Sequence, residues 1–141
     1  MTGPEQETRA VEPAAILDLT QPFTENELYT LRAAVTAHAH AGGVSSAAVD
    51  ILLIVIGELA SNAVRHGGGS GTLRFWHADG LLHCQIRDEG PGIADPELAG
   101  REPVPPTATG GRGLWIVRQL CQEVSVESDA AGTIVTATLA P

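Results

Sequence analysis

Two periodicities divide the chain. Leu28, Leu31 and Val35 recur at helical spacing, and Ile51-Leu-Leu-Ile-Val-Ile56 is an unbroken apolar run leading into Glu58-Leu-Ala-Ser-Asn62-Ala-Val-Arg-His66-Gly67. By contrast, residues 72–77 and 81–87 alternate with period two. Alternation puts Leu73 and Phe75 on one strand face with Leu82, Cys84 and Ile86. Asp79-Gly80 between the two runs is a strong hairpin signal. Residues 123–139 read as a second hairpin.

The run at 51–56 is rich in β-branched residues, which would also suit a strand. Its length and its ends select a helix from Ser46 to His66. Ser45 or Ser46 offers an N-cap, Asp50 suits the positive end of the dipole, and Arg65 and His66 fall in the last turn. Gly67 is placed for a left-handed C′ cap. A helix apolar all round is usually buried, so this one is expected in the core. Upstream, Thr24 and Glu27 make a capping-box pattern. The following helix buries Leu28, Leu31 and Val35 and stops near Ala41-Gly42-Gly43. Residues 15–20 suggest a strand closed by Gln21-Pro22. Gly110-Gly-Arg-Gly113-Leu114 opens a short helix with Leu114, Val117, Leu120 and Cys121 on its buried side. Residues 94–109 carry four prolines and few apolar residues. That loop is either a lid or an insertion without consequence. The order strand, helix, helix, strand, strand, lid, helix, strand, strand predicts an α+β sandwich with helices on one face of the sheet.

Length and charge narrow the possibilities. The 141 residues suit one domain over 14–141, after a polar tail over 1–13 expected to be disordered. The start lacks the basic and apolar segments of a signal peptide, and no unbroken apolar run approaches the ~18 residues of a membrane helix. A cytoplasmic location is therefore expected. Cys84 and Cys121 have no metal or redox spacing and read as reduced core residues. A net charge of −9 disfavours sequence-independent nucleic-acid binding, which needs a basic face. It leaves nucleotides open, since backbone N–H groups and a metal ion hold phosphate without net positive charge. His77 and His83 stand singly on strands and are expected at the surface. Arg32, beside the first apolar stripe, is either a solvated arginine or a contact to a ligand or partner.

The chemistry concentrates in three places. On the long helix, Glu58, Asn62 and His66 fall at i, i+4 and i+8 and form one polar stripe. Polar groups on so apolar a helix are costly unless satisfied, so the stripe is expected to face a cleft. Asp88, at a strand end, can accept a hydrogen bond from an exocyclic amine of the adenine type. Gly90 and Gly92 beside it let the backbone approach a flat ring. Gly110, Gly111 and Gly113 precede a helix, whose free N–H groups and dipole suit phosphate. Asn62 offers an amide oxygen to Mg²⁺, and Glu58 one turn away can take a proton from an attacking hydroxyl or water. Arg65 and Arg112 are either phosphate contacts or solvated surface residues.

Glu58-Leu-x-x-Asn62-Ala-x-x-His66, Asp88-x-Gly-x-Gly92 and Gly110-Gly-x-Gly113-Leu114 together resemble the N-box and two glycine boxes of the GHKL ATPases. The nearest branch is similar to the anti-sigma-factor serine/threonine kinases of bacteria. The resemblance covers about residues 14–140. It implies a Bergerat fold, with a mixed and mostly antiparallel sheet backed by helices and ATP–Mg²⁺ held between the long helix and a lid over about 94–109. By position it makes Asn62 the Mg²⁺ ligand, Asp88 the reader of adenine, Thr133 the support of that aspartate and Glu58 the general base. It also places Ala63, Arg65, His66, Ile93, Arg112 and Leu114 at the nucleotide with the box glycines. The partners implied are a STAS-type anti-sigma antagonist as phosphate acceptor and a sigma factor as the sequestered protein. Direct nucleic-acid or membrane binding is not expected, and a homodimer is possible. The alternative is a nucleotide-gated binder of partners without phosphotransfer.

Overall fold

The computed structural model of the chain describes residues 18–93, 95–96, 98–101 and 112–141. Strand β1, Leu19–Thr24, leads through a 3₁₀ turn at Glu25–Glu27 into helix α1, Leu28–Ala41. Helix α2 is Ser46–His66. Strands β2, Ser70–Ala78, and β3, Leu81–Asp88, form the first hairpin. Helix α3, Arg112–Leu120, precedes the second hairpin, β4 at Glu123–Asp129 and β5 at Gly132–Leu139.

The strands make one five-stranded sheet in the order β1-β2-β3-β5-β4. Every pairing among the described residues is antiparallel, so the expected mixed element is absent from them. The register matches the alternation in the sequence. Leu73 faces Ile86 and Phe75 faces Cys84 across β2 and β3, and Cys84 and Ile86 face Ala137 and Val135 across β3 and β5. All six are buried, and the three helices cover this face. The opposite face carries Arg74, Trp76, His83, Gln85, Thr136 and Thr138. On it Trp76 and His83 stack at 5.1 Å, with the Arg74 guanidinium 4.5 Å from the Trp76 ring. His83 is thus a half-buried stacking residue rather than a free surface one. His77 is half-buried too, with Nε2 out of contact with solvent.

Local chemistry explains most boundaries. The Thr24 N–H donates to Glu27 Oε1 at 2.9 Å at the entry to α1. Ser45 Oγ accepts from the Ala48 N–H at 3.2 Å and caps α2. Asp79 and Gly80 both have positive φ, 56° and 75°, as a type I′ turn requires.

Several expectations change. β1 does not stop at Gln21-Pro22. It runs through Pro22, which pairs with Thr72; among the described residues β1 lies at the edge of the sheet, where a missing N–H costs least. Residues 15–17, the expected start of that strand, and the tail over 1–13 lie outside the described residues. Gly67 ends α2 but not in a left-handed conformation: its φ is −110°, and the positive angles fall on Gly68 and Gly69. α2 is not buried all round. Leu52, Val55, Ile56 and Leu59 are enclosed, whereas Ile54 is 47% exposed. Over an 18-residue window α2 reaches a mean hydropathy of 1.8, enough in length and composition to cross a membrane, although no unbroken apolar run in it is that long. Its enclosed side packs on the sheet and α1, as in a core helix. On α3, Leu114 and Val117 are buried, but Leu120 is 36% exposed. Leu120 lies six residues past Leu114, which turns it off the face that Cys121 rejoins at i+7.

Both cysteines are free. Burial pushes both thiols up, that of Cys121 to about 11. A raised thiol pKa removes thiolate, the reactive form. At pH 8 Cys121 is expected to alkylate roughly a hundredfold more slowly than an unperturbed thiol, with Cys84 slower still. Core packing gives a second check by urea unfolding. Leu52→Ala is expected to cost about 3 kcal/mol, and Ile54→Ala, on the open side, less than about 1 kcal/mol.

Candidate functional site

α2 crosses the covered face of the sheet and ends beside the C-terminal end of β3. The meeting leaves no room for side chains. A Cβ on Gly67 would overlap the Asp88 carboxylate, and a Cβ on Gly90 would overlap Gly67 and the His66 carbonyl. Gly132, at φ 148°, lies equally close to the Asp88 carbonyl. Asp88 is therefore fixed by backbone on three sides. Its Oδ1 accepts the Gly90 N–H at 2.9 Å, and in register it faces Thr133 across β3 and β5.

Asp88 opens onto a cavity of about 300 Å³. Asn62, Ala63 and His66 line it from α2, Asp88 and Thr133 from the strands, Gly92 and Ile93 from the turn after β3, and Leu114 from α3. These eight sequence-predicted residues are brought to one wall system, apolar at its centre and polar at its ends. Leu59, Ile86, Ala99, Gly100 and Val135 complete the lining. Ala99 and Gly100 fall within the lid expected over about 94–109; sequence reasoning assigned Leu59, Ile86 and Val135 no role in the site, although Ile86 and Val135 stand two residues from Asp88 and Thr133 on the same strand faces.

Glu58 stands outside the cavity, one turn along α2. It and Asn62 both face the first turn of α3: a Cβ on Gly113 would meet Glu58 Oε1 at 2.8 Å and the Asn62 amide at 3.5 Å. Glycine at 113 thus lets the start of α3 close on the polar pair, and a carboxylate there suits the positive end of the helix. The Arg65 guanidinium reaches Asn62 Oδ1 at 3.4 Å, and Arg65 and Arg112 are exposed. Gly110 and Gly111 lie outside the described residues. So does most of the expected lid; its described part is a turn in which the Leu98 N–H donates to Asp95 O at 3.0 Å.

The glycines of the turn after β3 also serve a purpose that was not expected. Gly90 packs on Gly67, and Gly92, at φ 92°, packs on the Asp129 carbonyl. Both make close backbone contact within the protein, and Gly92 also lines the cavity. Sequence reasoning also missed Ser128. Its Oγ accepts the Ile93 N–H at 2.7 Å, shares a 2.9 Å hydrogen bond with Thr133 Oγ1 and donates to Gly132 O at 3.3 Å. It ties the turn to the second hairpin and orients the Thr133 hydroxyl. Pairing Asp129 with Gly132 in that hairpin would have placed Ser128 opposite Thr133.

A five-stranded sheet covered on one face, with a cavity between one long helix and a glycine turn, defines an ATPase domain of the histidine kinase type. A model of the histidine kinase-like ATPase domain matches residues 22–139, and the chain belongs to that family. Among characterised proteins it is similar to the anti-sigma F factors of Geobacillus stearothermophilus and Geobacillus kaustophilus. Each is 36% identical over 91 residues, covering 57% of this chain and 62% of the relative. The chain thus spans less than two thirds of the length of the relatives it matches. Among solved structures it is similar to the histidine kinase domain of a blue-light activated histidine kinase from Erythrobacter litoralis, at 27% identity and a TM-score of 0.53, over 64% of this chain and 46% of that one. The RsbU and RsbW domains of a Mycobacterium tuberculosis protein share the fold at 20% identity and a TM-score of 0.63, over 86% of this chain and 32% of that one.

Removing the Ser128 hydroxyl leaves the Ile93 N–H without its acceptor in a part-buried place. Ser128→Ala is expected to cost about 1–3 kcal/mol in urea unfolding, with faster hydrogen exchange at the Ile93 amide.

Proposed function

We propose that the chain binds ATP with Mg²⁺ and transfers the γ-phosphate to a serine or threonine of a protein partner, as an anti-sigma-type kinase. The observation that carries this reading is the shared outlook of Asp88 and Asn62 into one cavity, with Glu58 beside Asn62 at the start of α3. Asp88 supplies an acceptor for the adenine amine, held in place by the Gly90 N–H. The apolar lining of Leu59, Ala63, Ile86 and Val135 suits a base. The first turn of α3 offers free N–H groups to phosphate oxygens, and Arg65 and Arg112 stand at that end as additional contacts.

The residues fit a magnesium ion that arrives with the nucleotide. No cluster of three or more histidine, cysteine or acidic residues suited to a metal occurs among the described residues, so no all-protein cage competes with that reading. Asn62 supplies an oxygen, and Mg²⁺ commonly completes its shell from phosphates and water. Bound there, the ion would neutralise phosphate charge. Glu58 would then accept the proton of the attacking hydroxyl, while the α3 N–H groups hold the transferred group in line.

The relatives are named anti-sigma F factors, which supports a STAS-type antagonist as the phosphate acceptor and a sigma factor as the sequestered partner. It also supports action in the cytoplasm. Glu58 lies outside the cavity proper. That position favours a second reading, a nucleotide-gated binder of the same partners without transfer.

Calorimetry separates the binding roles. Asn62→Ala is expected to abolish the magnesium dependence of ATP binding. Asp88→Asn is expected to weaken ATP and ADP alike. Equal affinities in wild type and Asp88→Asn would remove adenine from the cavity. Transfer is tested by partner phosphorylation with Glu58→Ala beside wild type. Loss of phosphate incorporation in the variant is expected; equal incorporation excludes Glu58 as the base, and none in either favours the gated binder.

A further inference from the structure

Arg118, in the last turn of α3, belongs to no glycine box and does not line the cavity. Its guanidinium is half-buried and spent on backbone: Nε donates to Ala99 O at 2.8 Å and Nη1 to Val124 O at 3.3 Å. Burial, and then the like charge of Arg101, hold its pKa below the ordinary arginine value. A planar fork that bridges two carbonyls from different segments fixes their separation. Here the two segments are the turn at 98–101 and the start of β4, and α3 carries the fork between them.

The turn so held is a wall of the site. Ala99 and Gly100 line the cavity together with Asp88 and Thr133. Gly100, at φ 75°, lies against Leu114, where a Cβ would collide with the Leu114 backbone. The turn therefore rests on α3 at two points: Leu114 near the phosphate end and Arg118 four residues later. Four residues is one helical turn, so both contacts leave the same face of α3.

We infer that Arg118 is a positioning residue for the nucleotide, clamping the Ala99–Gly100 wall to α3 so that the cavity is formed before ligand arrives. This rests on the nucleotide reading of the cavity and adds a residue to it. A preformed wall spares the ligand the cost of ordering it. Arg118 donates to Ala99 O and Val124 O and not to Asn62, the proposed magnesium ligand, so its loss is expected to weaken ADP and ATP alike and to leave the magnesium dependence untouched.

The test uses the full chain with Arg118→Gln and Arg118→Lys. Two measurements are made at a temperature where all three proteins are folded: hydrogen exchange at the Leu98, Ala99 and Arg101 amides without nucleotide, and affinity for ADP and for ATP–Mg²⁺. Arg118→Gln is expected to exchange faster at those amides only and to bind both nucleotides roughly tenfold more weakly, the scale of one lost hydrogen bond. Arg118→Lys keeps one donor for Ala99 O and is expected to recover part of both effects. A purely structural role would lower the melting temperature and speed exchange across the core without the equal loss for the two nucleotides. If wild type binds ADP and Arg118→Gln binds within twofold of it, this inference is overturned and the nucleotide reading stands. If wild type binds neither nucleotide, the two fall together.

Discussion

Everything in this fold that bears on chemistry depends on backbone meeting backbone where α2 ends at β3. Gly67, Gly90 and Gly132 each lie where a single added carbon would collide with the Asp88 segment or its surroundings. At Gly90 and Gly132 the colliding atoms are main chain and cannot relax by a rotamer change, and at Gly67 they are the Asp88 side chain that the site uses. This close contact fixes the angle at which the long helix leaves the sheet, and with it the direction of Asn62 and His66 four and eight residues along from Glu58. A looser junction would leave the same residues on the same elements without a common cavity.

From that junction the site divides into two halves. The first is β3, β5 and α2, whose side chains are held by register and by the buried core. Ser128 extends it by fastening the turn after β3 to the second hairpin. The second is the turn at 98–101, which rests on α3 where Gly100 meets Leu114 and where Ala99 O accepts from Arg118. Among the described residues, α3 thus both faces Asn62 with its first turn and supports this part of the lining.

Much of this was legible in the sequence. The two hairpins followed from alternation and from Asp79-Gly80. The limits of α2 followed from Ser45 and from the polar last turn. Asn62, Asp88 and Thr133 were singled out as site residues and share the cavity. What could not be read has physical causes. β1 continues through Pro22 at the edge of the sheet that the described residues form, and edge status belongs to the assembled sheet. Ile54 is exposed because α1 and the sheet cover only part of α2, which periodicity in an all-apolar run cannot reveal. The glycines at 90 and 92 were assigned to ligand contact alone, and their packing on Gly67 and Asp129, distant in sequence, was not foreseen. Arg118 acts through main-chain partners, which leave no trace in residue type, and Ser128 acts partly so, through the Ile93 N–H and Gly132 O beside the Thr133 hydroxyl.

The central claim is that one cavity, bounded by α2, the end of β3 and the start of α3, receives a nucleotide with its base at Asp88 and its phosphates at α3. The most direct measurement is a titration of ADP into nitrogen-15-labelled protein, followed amide by amide. The account predicts the largest shifts at Gly90, Ile93 and Thr133 around the base and at Gly113 and Leu114 around the phosphates, with Arg74, His83 and Thr138 on the far sheet face unmoved. Shifts confined to that far face or to α1, or no shifts at all, would contradict it.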